Sequence, residues 1–377
     1  MFGNLFELSS GIFAFNLKYL FIAGLWPSDK WAKENLFIYK IYEVSLHILG
    51  ATFLIVTGIG TYRSKNDMMI LLGNIDKSLA GYNLLAKVII FLYKRKELEN
   101  LISEISRSGD QISEERKKLM LIHVVVLTGM IMSIAGLFSG LAFYNNEMTI
   151  EAWMPFDPMD SKMNLMLSMQ ILIITFTVPC VWRGIAMQGV VVSLTMYVCD
   201  QLVDVQERLR ALVYTPDSEF AMRAQFKDII KKHIRLVGYS RTMTDIFNEY
   251  FLIQNLAVTV ELCLSAFMAT IAGLEQQSLL ASFLAFLCVA LTNAYIYCYL
   301  GDELIVQSQG IALAAYESTW TSWPLDLQKD LLILIRAAQK PLILSAGGIA
   351  AMSMQTYSQT LYNGYSIFAV LNDAEIK

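Results

Sequence analysis

Seven stretches of this sequence are predominantly apolar over about twenty residues or more, the first two weakened by Lys40, Glu43, His47, Asp76, Lys77 and Lys87, and no other feature limits its fold so strongly. A bilayer offers no water to the backbone, so a chain crosses it as helices or as a closed barrel. The runs fall near residues 36–62, 68–93, 119–144, 163–199, 251–273, 279–300 and 346–371. They do not alternate every second residue, which argues against barrel strands. With 55% hydrophobic and 16% charged residues, the 377-residue chain carries more apolar surface than one soluble core usually buries. The expected fold class is therefore all-α: an integral membrane bundle of seven transmembrane helices.

Basic residues near span ends are retained on the cytoplasmic side, so the loops set the orientation. The loop after span two holds Lys94, Arg95, Lys96, Arg107, Arg116, Lys117 and Lys118. The loop after span four holds Arg208, Arg210, Arg223, Lys227, Lys231, Lys232, Arg235 and Arg241. The segment after span three has Lys162 against Glu147, Glu151, Asp157 and Asp160, and the turn around Glu275 has no base. The N-terminus is then expected in the cytoplasm and the C-terminus outside. No cleavable leader is expected, because no base precedes Lys18.

That orientation is opposite to a G-protein-coupled receptor, and neither an Asp/Glu-Arg-Tyr at the end of span three nor an Asn-Pro-x-x-Tyr in span seven is present. Span seven also lacks the lysine of a retinal Schiff base, and no internal repeat suggests a transporter. A net charge of −4 gives no field for nucleic acid. Three scattered histidines and the lack of a nucleophile motif argue against an enzyme. The five cysteines lie in or beside apolar runs without metal spacing and read as reduced thiols, so no cofactor is expected.

The chain divides into a cytoplasmic N-terminal segment at 1–35, spans one to six at 36–300, a cytoplasmic anchor at 301–345, and span seven with a short external tail at 346–377. Apolar residues continue at helical spacing past Asp200, so span four is expected to enter the cytoplasm as a long helix, with Pro179 kinking it. The anchor carries Tyr316, Trp320, Trp323, Leu331 and Leu334, residues suited either to a subunit interface or to packing within one subunit. Arg183 and Glu261 are costly in hydrocarbon and are expected to face the bundle interior or water.

Span seven has a polar stripe on one face. Gln355, Gln359, Asn363, Ser366 and Asp373 recur at helical spacing, with Val370 between the last two. Such a stripe either lines a cation path, with valines closing it by dewetting, or glues the helix to its neighbours.

The last third is more specific. It contains Tyr316-Glu317-Ser318-Thr319-Trp320, then Gln339-Lys340-Pro341-Leu342, Ser345-Ala346-Gly347-Gly348, Ser353, Thr356, and Tyr365-Ser366 followed by Phe368. These elements, over about 80 residues, resemble the C-terminal signature of insect odorant receptors. Gustatory receptors share the inverted plan, but their closing Gln-Phe is missing here. The short second cytoplasmic loop resembles the odour-specific subunit rather than the longer co-receptor.

The resemblance implies an odorant-binding subunit of a heterotetrameric, ligand-gated nonselective cation channel built with the odorant receptor co-receptor. It also implies a plasma-membrane site in a sensory neuron, permeant cations, contact with membrane lipid, and a gate at Val370. A gustatory-type channel and a metabotropic chemoreceptor are the alternatives. A small volatile ligand would need an apolar pocket in the outer half of the bundle. Candidate walls are Leu72, Ile75 and Leu79 in span two; Ser133, Gly136, Leu137, Gly140 and Phe143 in span three; Met169, Leu172 and Phe176 in span four; and Phe283 and Phe286 in span six.

Overall fold

Short polar side chains set the starts of four of the helices. Asp67 Oδ1 accepts the Ile70 N–H at 3.1 Å, Ser113 Oγ that of Arg116 at 3.3 Å, Ser161 Oγ that of Asn164 at 3.2 Å and Ser353 Oγ that of Thr356 at 3.3 Å. Each satisfies one of the donors that a helix N-terminus leaves open. The computed structural model describes residues 12–27, 35–145, 148, 150–272 and 277–375, excluding the side chains at 69, 131, 134–135, 137–139, 141–145, 218, 269, 272, 277–283 and 371–375.

The described helices are α1 (Ala14–Ile22), α2 (Leu36–Arg63), α3 (Met68–Arg107), α4 (Glu114–Asn145), α5 (Lys162–Phe176) and α6 (Trp182–Arg210), then α7 (Glu219–Ala272), α8 (Gln277–Glu317), α9 (Leu325–Ala338) and α10 (Met354–Glu375). By length and composition, Leu36–Arg63, Lys162–Arg210, Glu219–Met268 and Leu284–Glu317 can each cross a membrane. Helices α3, α4 and α10 carry the other three expected spans. On α2, Phe37, Ile41, Ile48 and Ile55 are exposed, apolar side chains of the kind that face lipid.

Helix α7 has 54 residues and so extends about 80 Å, far more than a bilayer needs. Its excess length packs with those of α3, α6 and α8, and the main core gathers there. Tyr197, Leu202 and Val205 of α6 meet Phe226, Ile229 and Leu236 of α7, and Ile311, Ala314 and Ala315 of α8. Helix α9 closes this end: Trp323 sets its ring edge-on to Phe226 at 5.5 Å, and Leu327, Leu331 and Leu334 are buried behind it.

Span four is long because it is two helices fused through a π-helical turn, Thr177–Val181. Pro179 sits inside that turn; lacking an N–H, it cannot continue the α-helical ladder. Helix α6 then runs on to Arg210, as the spacing predicts.

Span seven starts later than its apolar run. The expected start at 346 is corrected to Met354, because Ser345–Ala346 (β1) pairs antiparallel with Ala350–Ala351 (β2) in a small hairpin. Gly347 and Gly348 form its turn at φ +65° and +70°, which residues with a Cβ rarely adopt. The hairpin is pinned to α7 by the Gly347 N–H on the Asn248 carbonyl at 3.0 Å and the Gly348 N–H on Asn248 Oδ1 at 2.8 Å.

Candidate ligand cavity and pore helix

The π turn widens the chain where α2, α3, α5, α6, α7 and α8 converge, and a cavity lies there. Its volume is about 150 Å³, counted as the space open to the centre of a water molecule. One end is apolar: Phe53 of α2, Met169, Leu172, Ile173 and Phe176 of α5, and Phe286 and Val289 of α8. The rings of Phe53 and Phe176 stand 5.1 Å apart and define one wall. Gly81 lets them approach, because a Cβ there would stand 2.5 Å from the Phe53 ring.

The other end is polar. Lys87 of α3, Tyr250 and Gln254 of α7 and Tyr297 of α8 meet there, and Asn83, Gln188, Glu261 and Asn293 also line the cavity. The Lys87 ammonium donates to Gln254 Oε1 and lies 4.8 Å from the centre of the Tyr250 ring. The hydroxyls of Tyr250 and Tyr297 share a hydrogen bond of 2.8 Å. Buried charge demands such partners. Nearby, Asp76 accepts from Ser265 Oγ at 3.1 Å.

Of the expected pocket walls, Met169, Leu172, Phe176 and Phe286 line this cavity. Leu72, Ile75 and Leu79 are half-buried on α3 but do not line it. Ser133, Gly136 and Gly140 are exposed on α4, and a Cβ at either glycine would meet open space. Among the described residues, Ser133, Gly136 and Gly140 do not border this cavity. The side chains of Leu137, Phe143 and Phe283 lie outside the described residues. Pattern reading missed the polar end, although its signal was present: Asn83, Lys87, Gln188 and Asn293 interrupt apolar runs.

Arg183 faces the interior, as its cost in hydrocarbon requires, and is fully buried. Its Nε donates to the Ala23 carbonyl at 3.0 Å, Nη1 to His47 Nδ1 at 3.2 Å and Nη2 to the Glu43 carbonyl at 3.5 Å. It thereby fastens the segment after α1 to α2 and α6. Glu261 is 5% exposed. Of the five cysteines, all free, Cys288 alone is exposed.

Helix α10 rests on α7 and α8 by one face. Gly364 makes the closest approach, since a Cβ there would run into the Leu262 side chain. Gln355, Gln359, Asn363 and Val370 are exposed on the opposite side, with Ser366 half-buried. Gln359 Nε2 donates to Asn363 Oδ1 at 2.8 Å, and Val370 is 69% exposed. Asp373 lies within the helix, its side chain outside the described residues.

The anchor candidates separate. Tyr316 is 67% exposed and Trp320 partly so, but Trp323, Leu331 and Leu334 are 3%, 2% and 4% exposed and fill this chain's own core. Their assignment to a subunit interface is corrected accordingly. On α9 the outward apolar residues are Leu325, Leu332 and Ile333.

Membrane-length helices around an internal cavity define a helical membrane protein. The family described as 7tm Odorant receptor matches residues 71–365, and the chain belongs to it. The family is one of chemoreceptors, not of enzymes. Odorant receptor 30a of Drosophila melanogaster is 30% identical over 48% of this chain and 48% of its own length. Odorant receptor Or2 of Anopheles gambiae is 22% identical over 52% of this chain and 53% of its own, so the chain spans about half the length of these relatives. Odorant receptor 13a of D. melanogaster is 19% identical over 94% of this chain and 93% of its own. The fold is that of the insect olfactory receptor OR5 from Machilis hrabei in complex with eugenol, with a TM-score of 0.75 at 15% identity over 95% of this chain and 97% of that one.

Proposed function

We propose that this chain is the odour-binding subunit of a ligand-gated, nonselective cation channel, assembled as a heterotetramer with the odorant receptor co-receptor in the plasma membrane of a sensory neuron. In this reading seven helices cross the membrane, with the N-terminus in the cytoplasm and the C-terminus outside. A volatile molecule enters the cavity, OR5 with eugenol being the precedent among proteins of this fold. Occupancy of the cavity moves α7 and α8, on which α10 rests.

The observation that carries the pore assignment is the two-sidedness of α10. One face is seated on Leu262 through Gly364, while the polar stripe and Val370 turn away from their own bundle. A polar face with one apolar residue near its end suits a shared aqueous path closed by a ring of valines. The side chains of Ser366, Asn363, Gln359 and Asp373 would line that path. Tyr316, Trp320, Leu332 and Ile333 would contribute to contacts between subunits near the inner end.

The test is co-expression with a co-receptor and recording of current during exposure to a broad odour panel. Odour-evoked, poorly selective cation current is expected; surface-delivered protein that gives none counts against the channel. Current abolished by blocking G proteins would favour the metabotropic alternative. Replacing Val370 by serine should raise resting current several-fold, and unchanged resting current and selectivity would remove Val370 from the gate.

A further inference from the structure

The polar end of the cavity holds more hydrogen-bonding capacity than the protein itself uses. Asn83 Oδ1, Gln188 Nε2 and Asn293 Oδ1 are buried atoms that find no hydrogen-bond partner among the described residues, and Gln188 as a whole is only 4% exposed. All three residues line the cavity. Buried polar atoms are rarely left unpaired in proteins, and where several share one cavity they mark a place for a polar guest.

The three amides come from three helices that border the same cavity. Lys87, one turn beyond Asn83, reaches over the Tyr250 ring, and Tyr250 is hydrogen-bonded to Tyr297, one turn beyond Asn293. On the third side, a Cβ at Gly184, one turn before Gln188, would stand 2.5 Å from Leu84, the neighbour of Asn83. Helices α3, α6 and α8 thus each present an unpaired amide to the one cavity.

We propose that this end is a hydroxyl-binding subsite, so that the ligand is a small apolar alcohol or phenol with its chain against the aromatic end. The free oxygens of Asn83 and Asn293 and the two N–H groups of Gln188 Nε2 ask for a group that both donates and accepts. A hydroxyl does this with one atom, donating to an asparagine oxygen while accepting from Gln188 Nε2. An ether or ketone accepts only and would leave both oxygens unpaired, and a hydrocarbon would satisfy none. The proposal deepens the functional reading above: it rests on the cavity being the ligand site and is independent of the pore assignment.

The test compares primary alcohols from hexanol to nonanol and para-alkyl phenols with methyl ethers and alkanes of matched size, on the full chain with its co-receptor. Alcohols or phenols should activate at roughly tenfold lower concentration than the matched ethers, the loss expected for one hydrogen bond. Asn293→Leu and Gln188→Leu should raise the half-maximal alcohol concentration roughly tenfold and move that of the ethers by less than about twofold.

Thermal stabilisation of the purified chain in lipid nanodiscs gives a readout independent of current, since a ligand raises the melting temperature by binding the folded state. Stabilisation by hydroxyl compounds over ethers, with no current from any probe, would defeat the channel reading and uphold the subsite. Equal potency of alcohols and ethers, parallel loss of both in the variants, stabilisation by neither, or a preference for the matched carboxylic acids would overturn the subsite. The comparison of probes in the unaltered protein decides the matter even if a variant fails to reach the membrane.

Discussion

Replacing Asp110 by asparagine should loosen the packing of the α3–α4 loop on α6 and α7 without touching the cavity. Asp110 sits in the loop between α3 and α4, with its carboxylate at a meeting point of three elements. Tyr197 of α6 donates to it at 2.8 Å, Arg235 of α7 donates to both oxygens at 2.9 and 2.8 Å, and Lys232 of α7 lies at 3.5 Å. Ser108 of the same loop adds a bond of 2.8 Å. Burial raises the carboxyl's pKa, but the bonds from Ser108 and Tyr197 and the charges of Lys232 and Arg235 outweigh it and hold the group below its ordinary value.

Asparagine keeps the shape and one acceptor but loses the charge. The Arg235 side chain is 32% exposed and can recover water, and Lys232 keeps Gln201 at 2.6 Å and Asp204 at 2.8 Å. The cost should therefore fall below that of a fully buried broken pair, at about 2–3 kcal/mol. For a chain of this length that is a drop of roughly 4 °C in melting temperature.

The pH dependence follows from the sign of the shift. A carboxylate held below its unfolded pKa contributes fully above the unfolded value, about 4, and loses that contribution as pH falls through the folded one. The difference between wild type and Asp110→Asn should be constant from about pH 5 to pH 8 and shrink only in stronger acid. His233, whose pKa is pulled down by burial, titrates in both proteins and cancels in the difference. The assay is thermal unfolding of both proteins in nanodiscs across this range, with Arg235→Met and the double variant completing the cycle. Additivity within about 0.5 kcal/mol, or a difference that grows as pH falls from about 8 to 5, would refute the argument.

Ala290 is 6% exposed and lines the cavity, so Ala290→Phe should fill it; we expect at least a tenfold loss of odour sensitivity with normal surface delivery, read by dose–response current. At Gly364 a Cβ would overlap Leu262, so Gly364→Ala should cost about 1–3 kcal/mol and push α10 off α7. The result expected is altered resting current, and wild-type currents with an unchanged melting temperature would show that the contact is not tight.

Burial decides how far a sequence of this kind can be read. Four membrane-length helices were legible because lipid demands long apolar runs, and Pro179 announced the break in the one running from Lys162 to Arg210 because no proline completes an α-helical ladder. The hairpin at 345–351 was not legible from hydropathy, since a run scored only for apolarity cannot register that Gly347 and Gly348 take left-handed dihedrals or that Ser353 caps the helix after them. Trp323, Leu331 and Leu334 misled for a related reason: aromatic and aliphatic anchors look the same whether they bind a partner or a neighbouring helix, and only Phe226 shows which applies.

The cavity divides along the same line. Its apolar end follows from residue type, as Met169, Leu172, Phe176 and Phe286 show, because any ligand wall in a membrane bundle is drawn from such residues. Its polar end depends on which helices meet. Asn83, Gln188 and Asn293 are isolated interruptions in sequence and become one chemical feature only when α3, α6 and α8 border the same cavity. A polar residue retained in an apolar run must find a partner or cost stability. That makes such interruptions, rather than the aromatic and small residues around them, the positions from which specificity in a chain like this is best sought.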